Sequence, residues 1–93
     1  MATSLEYVKY VCEQIAGTGA VRYRKMFGEY MVYINDKPIL LLCDNTVYVK
    51  NLECIKEKMK EAEKGFPYDR AKEHYILDID NSEFSKEIVT ILE

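Results

Sequence analysis

The chain has no tryptophan, one histidine, two prolines and four glycines among its 93 residues. No Pro-, Ser- or Gly-rich linker, repeat or low-complexity tract divides it, so it is expected to be one domain, residues 1–93. Its three cysteines, Cys12, Cys43 and Cys54, are odd in number, form no Cys-x-x-Cys pair and have no histidine cluster beside them. That argues against a disulfide framework or a zinc site. They read as small buried hydrophobes in a reducing cytoplasm. The longest unbroken apolar run covers residues 39–43, far short of the ~20 needed to span a bilayer. The opening MATSLEYVKY lacks a basic start followed by an apolar stretch, so it does not read as a secretory signal.

Hydrophobic residues make up 48% and charged residues 31%, the balance of a globular domain. A chain this short buries roughly 60–65% of its unfolded surface, enough for one core. Net charge is −3. The first fifty residues carry +1 and the remainder −4, so there is no global basic field of the kind non-specific DNA binding draws on.

Leu5, Val8, Val11, Cys12 and Ile15 recur at helical spacing, and Thr3 with Glu6 forms a capping-box pattern, which predicts a helix over 4–16. Four β-rich stretches follow: 21–26, 29–34, 38–43 and 46–50. Asn35-Asp36 and Asp44-Asn45 have the composition of two-residue hairpin turns. Taken literally, those turns set Ile34 opposite Lys37, Val32 opposite Ile39, Cys43 opposite Thr46 and Leu41 opposite Tyr48. One face then carries Met31, Tyr33, Leu40, Leu42, Val47 and Val49, and the other Tyr30, Val32, Ile34, Ile39, Leu41, Cys43 and Tyr48. The first is the more aliphatic and is expected to meet the helices. A second helix is predicted over 52–64 from Ile55, Met59 and Ala62, a strand over 74–80, and a third helix over 82–92 with Phe84, Ile88, Ile91 and Leu92 on one side. Asp80 and Glu83 form its capping pattern. The order α-β-β-β-β-α-β-α predicts a two-layer α+β domain, with an antiparallel sheet of about five strands and helices on one face.

No catalytic, cofactor-binding or metal-binding constellation emerges. His74 is a candidate general base, but no motif supplies it with a nucleophile. Asp78 and Asp80 share one side of their strand and read as a solvent edge and helix cap. The glycines at 17 and 19 lack the Lys-Ser/Thr of a phosphate loop. The sharpest polar feature is Arg22, Arg24 and Lys25 around Tyr23. Such a cluster protects an edge strand or contacts a polyanion. Eight tyrosines, together with a sheet apolar on both faces, point to a protein interface. Its candidate residues are Tyr30, Val32, Ile39, Leu41 and Tyr48, with a homodimer as the simplest occupant.

The segment Lys25-Met26-Phe27-Gly28, then Tyr33, Asn35-Asp36-Lys37, the strand 39–42, Asp44 and Val47-Tyr48-Val49-Lys50 resembles the N-terminal domain of the TfoX/Sxy competence regulators. Phe66-x-Tyr68 and Tyr75 fit the same pattern. Glu29 and Met31 stand where the family often has further glycines. The resemblance implies a bacterial cytoplasmic protein, a fold akin to secretion chaperones, and dimers. Family regulators carry a second, C-terminal domain and act as co-activators of DNA-uptake genes alongside a cyclic-AMP receptor protein. The resemblance therefore implies a non-enzymatic regulatory domain whose partner is a transcription factor or polymerase-associated protein. Direct nucleic-acid binding through Arg22, Arg24 and Lys25 is the alternative. Within the motif, Phe27 is expected to anchor the core and Gly28 to allow the bend after Met26.

Overall fold

The structure, a computed structural model, describes residues 3–26 and 29–93. The expectations for Phe27 and Gly28 lie outside the described residues. The elements run α1 (Leu5–Gln14), β1 (Val21–Met26), β2 (Glu29–Ile34), β3 (Lys37–Cys43), β4 (Thr46–Lys50), α2 (Glu53–Lys56), β5 (Lys64–Gly65), β6 (His74–Ile76) and α3 (Ser82–Leu92). The six strands form one antiparallel sheet in the order β1-β2-β3-β4-β6-β5. This is the expected α+β class, with a short sixth strand added.

Both hairpin turns take the mirror-image form. Asn35 and Asp36 have φ of 52° and 67°, and Asp44 and Asn45 have 49° and 53°. Asn and Asp tolerate this left-handed region, and its twist matches that of the flanking strands. Helix α1 is capped by Ser4, whose Oγ accepts from the Tyr7 amide at 3.2 Å. Thr3, expected as the cap, instead accepts from the Asn45 amide at 3.2 Å, while the Ser4 amide donates to Asn45 Oδ1 at 3.0 Å. The start of α1 is thereby tied to the β3–β4 turn. At the far end, Gln14 Nε2 donates to the Ile79 carbonyl at 2.8 Å, and Ser82 Oγ donates to the Gln14 carbonyl at 2.7 Å. Asn81 caps α3 in place of the expected Asp80, accepting from the Phe84 amide.

The register differs from the expected one at a single point. Ile34 faces Lys37 and Tyr33 faces Pro38, as two-residue turn geometry requires, but Val32 faces Leu40 rather than Ile39. Ile39 is the extra residue of a β-bulge. A slip of one residue exchanges the faces of a strand. Tyr30, Val32 and Ile34 therefore join Leu40, Leu42, Val47 and Val49 in the core, with Val8, Val11 and Ile15 of α1 and Ile88, Val89 and Leu92 of α3. The expected pairing of Met31 and Tyr33 with Leu40 and Leu42 on one face is corrected by this bulge. The pairings Leu41–Tyr48 and Cys43–Thr46 occur as read from the sequence.

The second helix is also shorter than expected. Regular α-helix covers only Glu53–Lys56 and gives way to turns. Ile55 and Met59 are both buried, and two anchors suffice to hold the segment down. The chain must then turn back so that Lys64 and Gly65 pair with Tyr75 and His74. A helix continued through 64 could not make that pairing.

All three thiols are free. Cys43 is buried, Cys12 half-buried and Cys54 exposed, so the expectation of burial fails for Cys54. Desolvation, with the Glu29 carboxylate nearby, pushes the Cys43 thiol up to about 12. Burial raises Cys12 as well.

Two outcomes follow from this packing. Val32→Asp, which puts an unpaired charge in the core, is expected to abolish folding. Tyr33→Asp, on the opposite face, is expected to leave a cooperative thermal transition with a modest loss of stability by circular dichroism. A stable Val32→Asp protein would mean that the bulge is misplaced. For the thiols, a disulfide reagent should modify Cys54 first, Cys12 more slowly, and Cys43 only on unfolding. The folded state holds the Cys43 proton more tightly than the unfolded chain, so its contribution is complete below pH 9 and is lost as pH rises toward 12. Denaturation curves at rising alkaline pH should lose stability less steeply in Cys43→Ala than in the parent.

Candidate functional site

The sheet face away from the core carries a continuous row across five strands. Arg24 pairs with Met31, Met31 with Leu41, Leu41 with Tyr48, and Tyr48 with Ile76. Met31, Tyr33, Leu41, Tyr48 and Ile76 are each half-buried, and none belongs to the core cluster joined by the helices. Their partial burial comes from packing on one another within the sheet. Gly65 sits under this surface. A Cβ there would lie 3.3 Å from Ile76 Cδ1 and 3.4 Å from Tyr48 Cε1, so a larger residue would force the neighbouring side chains aside.

Of the five residues read from the sequence as an interface, the fold brings only Leu41 and Tyr48 to this face. Tyr30, Val32 and Ile39 are buried at 8%, 0% and 7% exposure, and the first two lie in the helix-covered layer because of the bulge. Met31 and Ile76 are the apolar members of the row that sequence reasoning left out of the interface. Alternation in β2 placed Met31 opposite Tyr30 but could not say which side was open.

The basic strand divides in the way alternation predicts. Arg22 and Arg24 stand opposite Tyr33 and Met31 on the open face, whereas Tyr23 and Lys25 stand opposite Val32 and Tyr30. Arg22 has its guanidinium 4.6 Å from the centre of the Tyr33 ring, and its Nε donates to Asp36 Oδ1 at 3.0 Å. The pair is largely exposed, so the ion pair is worth about 0–1 kcal/mol. Among the described residues, Arg24 and Lys25 make no ion pair. Met26, the described part of the sequence motif, is exposed at 42% at the end of β1.

At the other end of the face, Tyr48 packs edge-on against His74 at 6.4 Å. His74 Nδ1 donates to the Lys72 carbonyl at 2.7 Å. In its neutral form that leaves Nε2 as the acceptor. A cavity of about 500 Å³ opens beside His74, between Lys50-Asn51-Leu52 and the 68–73 loop.

A larger cavity of about 840 Å³ lies between α1, the β4 and β6 ends and the segment after α2. Its apolar floor includes Met59, Leu77 and Phe84, and its rim is acidic. There the Tyr10 hydroxyl donates to Asp80 at 2.5 Å, which raises the Tyr10 hydroxyl pKa above its ordinary value. Lys58 pairs with Glu87. The Asp78 backbone carbonyl accepts from the buried Ser85 hydroxyl at 3.1 Å. Asp80 thus closes a helix junction. Among the described residues, no group of three His, Cys, Asp or Glu side chains could hold a metal ion. Nor is any of the described helices long and apolar enough to cross a membrane.

Comparison with known proteins gives these features a lineage. The family model described as the TfoX N-terminal domain matches residues 13–82. That span contains the whole sheet, including the open-face row. The chain is also similar to an uncharacterized 12.7 kDa protein encoded in the trpE 5′ region of Spirochaeta aurantia, with 36% identity over 78 residues, which is 84% of this chain and 68% of the relative. The chain belongs to the TfoX N-terminal domain family.

Proposed function

We propose that this domain is a non-enzymatic bacterial co-regulator that acts by docking its open sheet face on an acidic surface of a transcription-associated protein. The observation that carries this reading is the row Arg24-Met31-Leu41-Tyr48-Ile76. Its apolar centre is flanked by Arg22 and Arg24 on one side and Lys50 and His74 on the other. An apolar centre with a charged rim is the anatomy of a protein interface, and although Asp36 pairs with Arg22 and Glu29 lies near Tyr48, the excess of cations along the rim favours an acidic partner. Self-association is the competing use of the same face. The like-signed Arg22, Arg24 and Lys50 weigh against any two-fold pairing that superposes them.

Direct nucleic-acid binding by β1 is a second reading, favoured by Arg24 and Lys25, which make no ion pair among the described residues, and by the 40% exposed Tyr23 ring. The overall charge of −3 opposes it.

The test compares tagged parent protein with Leu41→Asp/Tyr48→Asp. Both residues lie outside the core, so the variant should keep its helical circular dichroism signal. Capture of a specific acidic partner from bacterial lysate should fall at least about tenfold in the variant, and should weaken as salt is raised. Undiminished capture by a folded variant would remove the reading. A parent mass of two chains by light scattering, reduced to one in the variant, would assign the face to self-association instead. Low-salt anisotropy with a DNA duplex that is sensitive to Arg24→Ala/Lys25→Ala would favour the second reading.

A further inference from the structure

The cavity beside His74 is built unlike the rest of this acidic protein. Lys50, Arg70 and Lys72 line it with Glu73 as the one acid, in a chain of net charge −3. Among the described residues, none of the three cations makes an ion pair. The cavity's other walls supply ring and apolar surface. Tyr68 is 61% exposed and Leu52 43% exposed, although large apolar groups on an unliganded surface gain nothing from that position. His74 closes the inner end, with its imidazole oriented by the Lys72 carbonyl and braced against Tyr48.

The backbone adds a second observation. Five non-glycine residues among those described have positive φ, and four of them are the Asn and Asp of the hairpin turns. The fifth is Arg70, at φ 66°. A long side chain in this region costs more than Asn or Gly would, and the Ala71 amide donates to the Tyr68 carbonyl at 3.1 Å to hold the turn. The turn spends conformational energy to set a guanidinium, rather than a turn-forming side chain, at the cavity mouth. Strain retained at one position is an indication of use there.

We propose that this cavity binds a nucleoside phosphate. The phosphate sits among Arg70, Lys72 and Lys50, where a planar guanidinium and two ammonium groups supply charge-assisted donors. The base stacks on the Tyr68 ring over Leu52, the usual way an aromatic side chain holds a base without regard to sequence. With Nδ1 engaged by the Lys72 carbonyl, Nε2 of His74 is the ring nitrogen left for a hydrogen bond to a base or ribose hydroxyl. About 500 Å³ is within the range of small-ligand pockets. The proposal does not depend on the protein-docking reading, since Tyr68, Arg70 and Lys72 lie outside the row that carries it. The phosphate can come from a free mononucleotide or from a unit of a single strand.

The experiment is amide NMR titration of the intact chain with adenosine 5′-monophosphate, ribose 5-phosphate, inorganic phosphate and a single-stranded oligonucleotide of about eight nucleotides. Adenosine 5′-monophosphate is expected to shift amides of 50–52 and 68–74, and to bind more tightly than ribose 5-phosphate or phosphate. Arg70→Asn/Lys72→Gln should weaken it about tenfold or more, and Tyr68→Ala by a similar factor. Asn suits the backbone at 70 better than Arg, so that substitution should leave the thermal midpoint unchanged or higher, which separates loss of binding from loss of fold. Tighter binding of the oligonucleotide with the same sensitivity to these variants supports the site and assigns the strand as source. Three results would overturn the proposal: equal affinity for phosphate alone, no shifts with either nucleotide or oligonucleotide at millimolar concentration, or oligonucleotide shifts confined to 22–25 and indifferent to the Arg70 and Lys72 changes.

Discussion

Ile39 gives β3 one more residue than β2 can pair with, and the assignment of the two sheet faces depends on that offset. It lets the tight Asn35-Asp36 turn keep its two-residue geometry while Tyr30, Val32 and Ile34 are carried under the helices beside Leu40 and Leu42. Each of these large side chains gains about 1.5–3 kcal/mol on full burial. Without the offset, Met31 and Tyr33 would lie under the helices, and Arg22 and Arg24, their partners across β1, would be turned toward the covered side. Lys25 already stands on that side of β1 and is exposed, because β1 is an edge strand that the helices leave uncovered. The cost of losing the offset is therefore the lost burial of Tyr30, Val32 and Ile34, and the bulge reconciles a turn rule with a packing rule.

Once the faces are set, the charges sort themselves. The acidic residues of the C-terminal half gather on the helices and around the larger cavity, while the open face and the smaller cavity carry Arg22, Arg24, Lys50, Arg70 and Lys72. A chain that is acidic in sum thus gathers five of its cations on one side, with Glu29, Asp36 and Glu73 among them. Lys50 belongs to both basic features, at the end of β4 beside His74 and at the cavity mouth. The open sheet face and the cavity beside His74 are for that reason adjacent, and a charged ligand at one would be felt electrostatically at the other.

Much of the fold was legible from local signals. The capped amphipathic stripes of α1 and α3, the two Asx turns and the strands they join are all encoded within a few residues of where they occur. Alternation correctly put Arg22 and Arg24 on one side of β1. Less legible was the segment after residue 56, whose Glu/Lys pattern suits a helix. The two-residue strand β5 carries no strand signal of its own. It exists because β6 offers it an edge, and a pairing of that kind leaves no period in the sequence. The smaller cavity was foreshadowed only by the position of His74. Arg70 and Lys72 sit in a stretch that reads as an irregular link, and nothing local says that they turn toward Lys50.

By itself, the sequence determined α1, α3, the four strands between residues 21 and 50 and the two tight turns between them, because capping, periodicity and positive-φ tolerance act over distances of two to four residues. It also determined that the core would be mainly aliphatic. The tertiary structure decided which side of β2 faces the helices, which residues form the open row, and which cations share a cavity. Strand β3 is apolar at every position from 39 to 43, so its alternation carries no face information. Its register on β2 was chosen by which set of side chains on the two strands packs best under the helices.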